Sequence, residues 1–240
     1  MSRFALLVAA LSVCAQAQAK DLHITGTPTQ SDFRGASEDV IATIEYKDLG
    51  PAAWSGITGF EIAAIGSYLP TEHRQEWKNL TGQNVRELGL VGARVQKGLP
   101  LDLDVGAFYS GVPEYGVGVY GAELRYAILP GSIALPALAV RGTYDQVRGL
   151  DDFNLRAATV DASVSKGFAF LSPYVGGGFV WGVSEPKGQV AAVSGLQKET
   201  IHKPKFFAGV RISLGLLHLT PEFETIGSNK SYNLNFGIHW

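Results

Sequence analysis

The last ten residues of the chain alternate without a break. Tyr232, Leu234, Phe236, Ile238 and Trp240 make one wholly apolar face, and Ser231, Asn233, Asn235, Gly237 and His239 make a small or polar opposite face. A period of two belongs to a strand whose two faces meet different surroundings. Earlier segments repeat it. Phe206, Ala208, Val210, Ile212 and Leu214 alternate with Lys205, Phe207, Gly209, Arg211 and Ser213. Leu101, Leu103, Val105, Ala107 and Tyr109 alternate with Asp102, Asp104, Gly106, Phe108 and Ser110. Ten strands are predicted, at about 57–68, 85–96, 101–110, 115–128, 135–145, 154–165, 171–183, 203–214, 217–226 and 231–240. About 9–11 tilted residues suffice to cross a hydrocarbon layer, and these segments are long enough.

Residues 31–50 follow another pattern. Phe33, Ser37, Val40 and Ile44 recur at helical spacing, and Ser31 or Asp32 can act as N-cap. The spacing predicts a short helix over Asp32–Glu45, at the periplasmic mouth of the barrel or inside the lumen as a plug. A strand at about 38–46 reads nearly as well, and would call for twelve strands instead of ten. The first residues have the form of a signal peptide: Arg3, the apolar run Phe4–Val13, and Ala17-Gln18-Ala19 as a small-x-small cleavage site. The domain reading is therefore a signal peptide over 1–19, an N-terminal segment over 20–56 and a barrel over 57–240. Cys14, the lone cysteine, falls in the leader, so no disulfide and no thiolate metal site is expected.

Connection lengths give the strands a polarity. Every other junction is short (Lys97–Pro100, Leu129–Ala134, Lys166–Phe170, Gly215–Leu216), and the other set includes two long polar excursions, Leu69–Asn84 and Ser184–His202. No apolar run of 18 residues follows the leader, and without a spanning helix only a closed barrel can pair every backbone group in lipid. The fold class expected is all-β, an antiparallel transmembrane β-barrel. Tyr68, Tyr109, Tyr115, Tyr144, Trp181 and Trp240 are candidates for its aromatic girdles. A soluble β-sandwich is the other architecture that buries one face of alternating strands.

The leader, the alternating strands and the terminal Tyr232-x-Leu234-x-Phe236-x-Ile238-x-Trp240 resemble Gram-negative outer-membrane β-barrel proteins. Most members end in phenylalanine, and Trp240 departs from that. Gly56–Phe60 and Val95–Pro100 are similar to stretches of small proteobacterial barrels. The resemblance implies export by the general secretory route with cleavage near Ala19, and residence in the bacterial outer membrane among lipid and lipopolysaccharide. It also implies recognition of the C-terminal strand by the barrel assembly machinery. It implies no activity.

With apolar residues facing lipid, the inward positions include Glu61, Arg94, Asp102, Asp104, Glu123, Arg125, Arg141, Asp145, Asp161, Lys205, Arg211, Glu222 and Glu224. Both signs are interspersed, so pairing into a plug that stiffens the barrel is favoured over a polar conduction path lined by the same residues. A formal charge of −2 supplies no basic field for nucleic acid. His23, His73, His202, His218 and His239 show no spacing to a serine or an aspartate pair that would make a hydrolase, and no metal-ligand cluster or cofactor motif is present. The function expected is a structural barrel or a narrow pore for small solutes. Binding at the cell surface through 69–84 and 184–202 is the alternative, and an outer-membrane hydrolase is the third.

Overall fold

A computed structural model describes residues 28–112, 117–132, 134–150, 153–187, 191 and 195–240. The expected leader with Cys14, His23 and the girdle candidate Tyr115 lie outside the described residues.

Ten strands are present among the described residues: β1 (Phe60–Pro70), β2 (Glu87–Leu99), β3 (Leu103–Val112), β4 (Val117–Leu129), β5 (Ala137–Arg148), β6 (Phe153–Ser165), β7 (Leu171–Pro186), β8 (Glu199–Leu214), β9 (Leu217–Ile226) and β10 (Asn229–His239). Each pairs antiparallel with its sequence neighbours, and β1 pairs with β10 from Glu61↔His239 to Tyr68↔Tyr232, closing the barrel. Closure leaves no free edge. It also excludes the sandwich. All ten predicted strands form, most with ends displaced by a few residues.

The pleat assigns the two faces. On β10 and at Trp240 just past its end, Ser231, Asn233 and Asn235 are buried while Tyr232, Phe236 and Trp240 are 53–56% exposed. The same inversion runs around the wall, where Val91, Leu124, Val160, Val175 and Phe206 point out and Arg94, Glu123, Asp161 and Lys205 point in. A water-soluble protein does not leave a continuous apolar belt uncovered.

At one end of the barrel the connections are the short turns, and Trp240 closes onto Phe60 there through a mutual pair of backbone hydrogen bonds of 2.9 and 3.1 Å. The other end carries the long connections 71–86 and 187–198, beside connections of two to four residues at 113–116, 149–152 and 227–228. Residues 71–86 are not an open loop. They contain helix α2 (Arg74–Thr81), ended by Gly82 in the left-handed conformation, with Trp77 and Leu80 turned inward.

The N-terminal helix, α1 (Gln30–Ile44), starts two residues earlier than predicted because Thr29 and Asp32 form a capping box. It lies inside the barrel, and the strand alternative over 38–46 does not form, so no twelfth strand is required. α1 enters at the long-connection end, where Phe33 stacks on Phe153 at 5.7 Å and Gln30 donates to the Gln197 carbonyl at 3.0 Å. Residues 45–59 continue in non-helical conformation to the short-turn end, where the Trp54 indole donates to the carbonyls of Leu99 and Leu103, both at 3.1 Å.

Candidate functional site

The lumen is where the fold concentrates its chemistry. Inward positions on the wall carry charge, and the segment running through them answers with charges of its own. Lys205 on β8 reaches Glu45 at 2.6 Å, Glu224 at 3.0 Å and Asp161 at 3.7 Å, and its side chain is fully buried. Lys47 bonds Glu224 at 2.5 Å and the Ala42 carbonyl at 2.7 Å. Arg125 holds Asp48 at 2.6 Å and the Pro51 carbonyl at 3.0 Å. Arg94 donates to the Asp48 carbonyl at 2.7 Å and to Glu123 at 3.1 Å.

The wall also pairs with itself. Arg141 grips Asp161 through two bonds, 2.6 and 3.2 Å, the fork geometry that suits guanidinium and carboxylate. Arg211 meets Glu61 at 2.7 Å. Glu222 accepts from the Leu49 amide and the Tyr174 hydroxyl, both at 2.8 Å. Asp145 accepts from the Tyr46 amide at 3.1 Å, and Asp104 from the Ser55 amide at 3.2 Å. Tyr46 itself packs on Phe108 at 4.5 Å, with the guanidinium groups of Arg94 and Arg141 over its ring at 5.5 and 5.8 Å. Unpaired buried charges are costly and paired ones are tolerated, so these contacts explain how a lumen this polar stays closed-packed. A cavity of about 20 Å³ beside Tyr46, Arg94 and Phe108 has room for roughly one water.

At the long-connection mouth α2 is fastened onto α1. Asp39, fully buried, meets a ring nitrogen of His73 at 2.8 Å and accepts from the Trp77 indole at 2.9 Å. Asn79 donates to Asp32 at 2.8 Å. Burial raises the Asp32 carboxyl, but hydrogen bonds from Thr29 and Asn79 outweigh it and hold the group below its ordinary range. A cavity of about 40 Å³ lies between the helices and the rim, lined by Phe33, Trp77, Leu80, Phe153 and Leu155 among others.

The lumen therefore gathers Glu61, Arg94, Asp104, Glu123, Arg125, Arg141, Asp145, Asp161, Lys205, Arg211, Glu222 and Glu224. Asp102 is the exception, and its assignment to the lumen is corrected. It stands in the turn between β2 and β3, where Leu101 (φ 67°) and Asp102 (φ 58°) are both left-handed, so the alternation begins only at Leu103. Aspartate tolerates that conformation better than most residues. The histidines are scattered. His202 faces outward against Phe179 and Trp181, at 5.3 and 5.2 Å, while His218 and His239 face inward at the short-turn end, 5.2 Å apart. Among the described residues no group of three or more His, Cys, Asp or Glu is arranged to hold a metal. The 69–84 excursion, expected as a polar binding loop, spends Trp77 and Leu80 on covering α1.

Glu45, Lys47 and Asp48 belong to this network and were not singled out from sequence. The signal was the run Glu45-Tyr46-Lys47-Asp48, charges of both signs around an aromatic just past the helix. Tyr174 had no signal beyond its inward parity.

No protein-family model and no curated protein matches the chain. Several solved structures do. The N-terminal β-barrel domain of Pseudomonas aeruginosa OprF is 12% identical, with 77% of this chain and 99% of that one covered and a TM-score of 0.38. The Acinetobacter baumannii outer membrane protein Omp33 is 12% identical, covering 76% and 98%, with a TM-score of 0.32. Ail, the attachment invasion locus protein of Yersinia pestis, is 13% identical, covering 76% and 97%, with a TM-score of 0.31. The chain is similar to these small outer-membrane barrels in fold.

Proposed function

We propose that this chain is an integral outer-membrane barrel closed at rest by its own N-terminal segment, structural in the closed form and conducting small solutes only when that segment is displaced. The observation that carries this reading is the set of buried ion pairs joining residues 45–48 to Lys205, Glu224 and Arg125. Membrane residence is supported by the outward apolar belt on a fully closed barrel. A filled lumen supports the structural role over an open pore.

Two measurements test the proposal. The protein in an outer-membrane fraction should migrate differently on gels before and after boiling; identical mobility counts against a membrane barrel. In planar bilayers the intact chain should give no regular conductance steps, and a variant lacking residues 30–50 that keeps the heat-dependent shift should give them. Frequent steps of the same size from the intact chain would refute closure.

A further inference from the structure

We infer that the described chain crosses the membrane eleven times, once through the lumen and ten times as strands, so that the start of α1 is presented on the outer face of the cell. The proposal rests on the outer-membrane reading above and goes beyond it: the barrel serves as a conduit holding the start of α1 at the surface.

Connection lengths orient the barrel. Long connections mark the external end of such barrels, opposite short periplasmic turns, and here 71–86 and 187–198 share one end. The C-terminus lies at the other end, where Trp240 bonds Phe60. With β1 rising from Phe60 at the short-turn end, the direction of the preceding chain decides where the start of α1 sits.

That direction is fixed by contacts at three depths. At the long-connection end, Arg34 pairs with Glu199, the first residue of β8, at 3.0 Å. At mid-depth, Glu45 meets Lys205 at 2.6 Å. At the short-turn end, Trp54 reaches Leu99 and Leu103. α1 alone, at about 1.5 Å per residue, accounts for roughly 22 Å of this descent. The segment does not fold back, so its start and the start of β1 are at opposite ends. Ten strands return the chain to the side where they began, and the lumenal pass makes the total odd. Thr29, Gln30 and Ser31 are exposed at the external mouth.

Single-cysteine labelling on whole cells tests this. Ser31→Cys probes the start of α1, Gln83→Cys the long connection after α2, and Ala134→Cys a short turn, all at exposed positions. The unaltered chain serves as the blank. Each variant must keep the heat-dependent gel shift before a membrane-impermeant maleimide is added. The expected result is that Ser31→Cys and Gln83→Cys label on intact cells, while Ala134→Cys labels only after the outer membrane is permeabilised. If Gln83→Cys labels on intact cells and Ser31→Cys needs permeabilisation, the lumenal crossing is overturned and the barrel orientation stands. If Ala134→Cys labels on intact cells and Gln83→Cys does not, the orientation falls and the inference falls with it.

Discussion

Lys205→Met is the most informative single change. The methionine keeps the length and removes the charge, leaving Glu45 with Lys47 at 3.4 Å and the Thr159 hydroxyl at 3.1 Å as its remaining partners. Glu224 keeps Lys47 at 2.5 Å, and Asp161 keeps Arg141 at 2.6 Å. The penalty therefore falls chiefly on Glu45, a carboxylate with no exposed side-chain surface. Breaking one side of a buried pair costs about 3–5 kcal/mol. At about 1.4 kcal/mol per factor of ten, that is roughly a hundred- to several-thousand-fold shift away from the seated plug. Glu45→Gln added to Lys205→Met removes the stranded charge and should recover at least half of the loss, a coupling within the range that neighbouring sites show. Urea unfolding followed by tryptophan fluorescence reads the stability, with Trp54 on the plug itself, and bilayer recordings read the openings. The reasoning is refuted if Lys205→Met lies within about 0.5 kcal/mol of the parent, a surface-like effect, or if Glu45→Gln gives no rescue.

Other outcomes follow from the same structure. Arg125→Met should strand Asp48, which it holds at 2.6 Å, and make the plug labile; the readout is faster labelling of a cysteine at Ala52, which is buried. Phe206→Arg, mid-strand and lipid-facing, should cost about 2–4 kcal/mol in bilayer unfolding, and Thr200→Arg near the rim about 0–1 kcal/mol; equal costs would argue against a membrane at that depth. A Cβ at Gly182 would lie 2.6–2.9 Å from three carbons of Ile41, so Gly182→Ala should destabilise by about 1–3 kcal/mol, and Ile41→Ala in the same chain should offset part of that loss. Asp32, held below its ordinary range by Thr29 and Asn79, contributes stability present above its unfolded pKa and lost as pH falls through its lower folded value; Asp32→Asn should remove that acid-limb dependence from the melting temperature.

How much of this was legible depends on the range of the interaction. Alternation is local, so Tyr232 through Trp240 declare both faces of the last strand, and the same parity points Arg94, Glu123 and Lys205 inward. Turn geometry is local too but less regular: two left-handed residues at 101–102 interrupt the pleat, and nothing in Leu101-Asp102 announces where the strand starts. The helix of α1 was legible from Phe33, Val40 and Ile44, while its location was not. What draws it inside is the match between Glu45, Lys47 and Asp48 and wall charges more than 70 residues away in sequence. α2 was missed because its apolar side is only Trp77 and Leu80, too few to show a period, and its partner is α1 rather than the barrel wall.

The lumenal segment has a consequence for how the barrel comes into being. Leu49 is bonded by Glu222 and Asn235, and Lys47 by Glu224, over sequence separations of 173–186 residues. These partners sit on the last two strands to be synthesised, and β10 also completes the seam with β1. Such long-range closures are the slow, entropically expensive steps of folding. Shutting the seam over an empty interior would leave Glu222, Glu224 and Arg125 without Leu49, Lys47 and Asp48, which couples plug seating to seam closure during folding. A refolding trace from Trp54 should then coincide with one from Trp240 at the seam, the earliest and latest parts of the barrel arriving together.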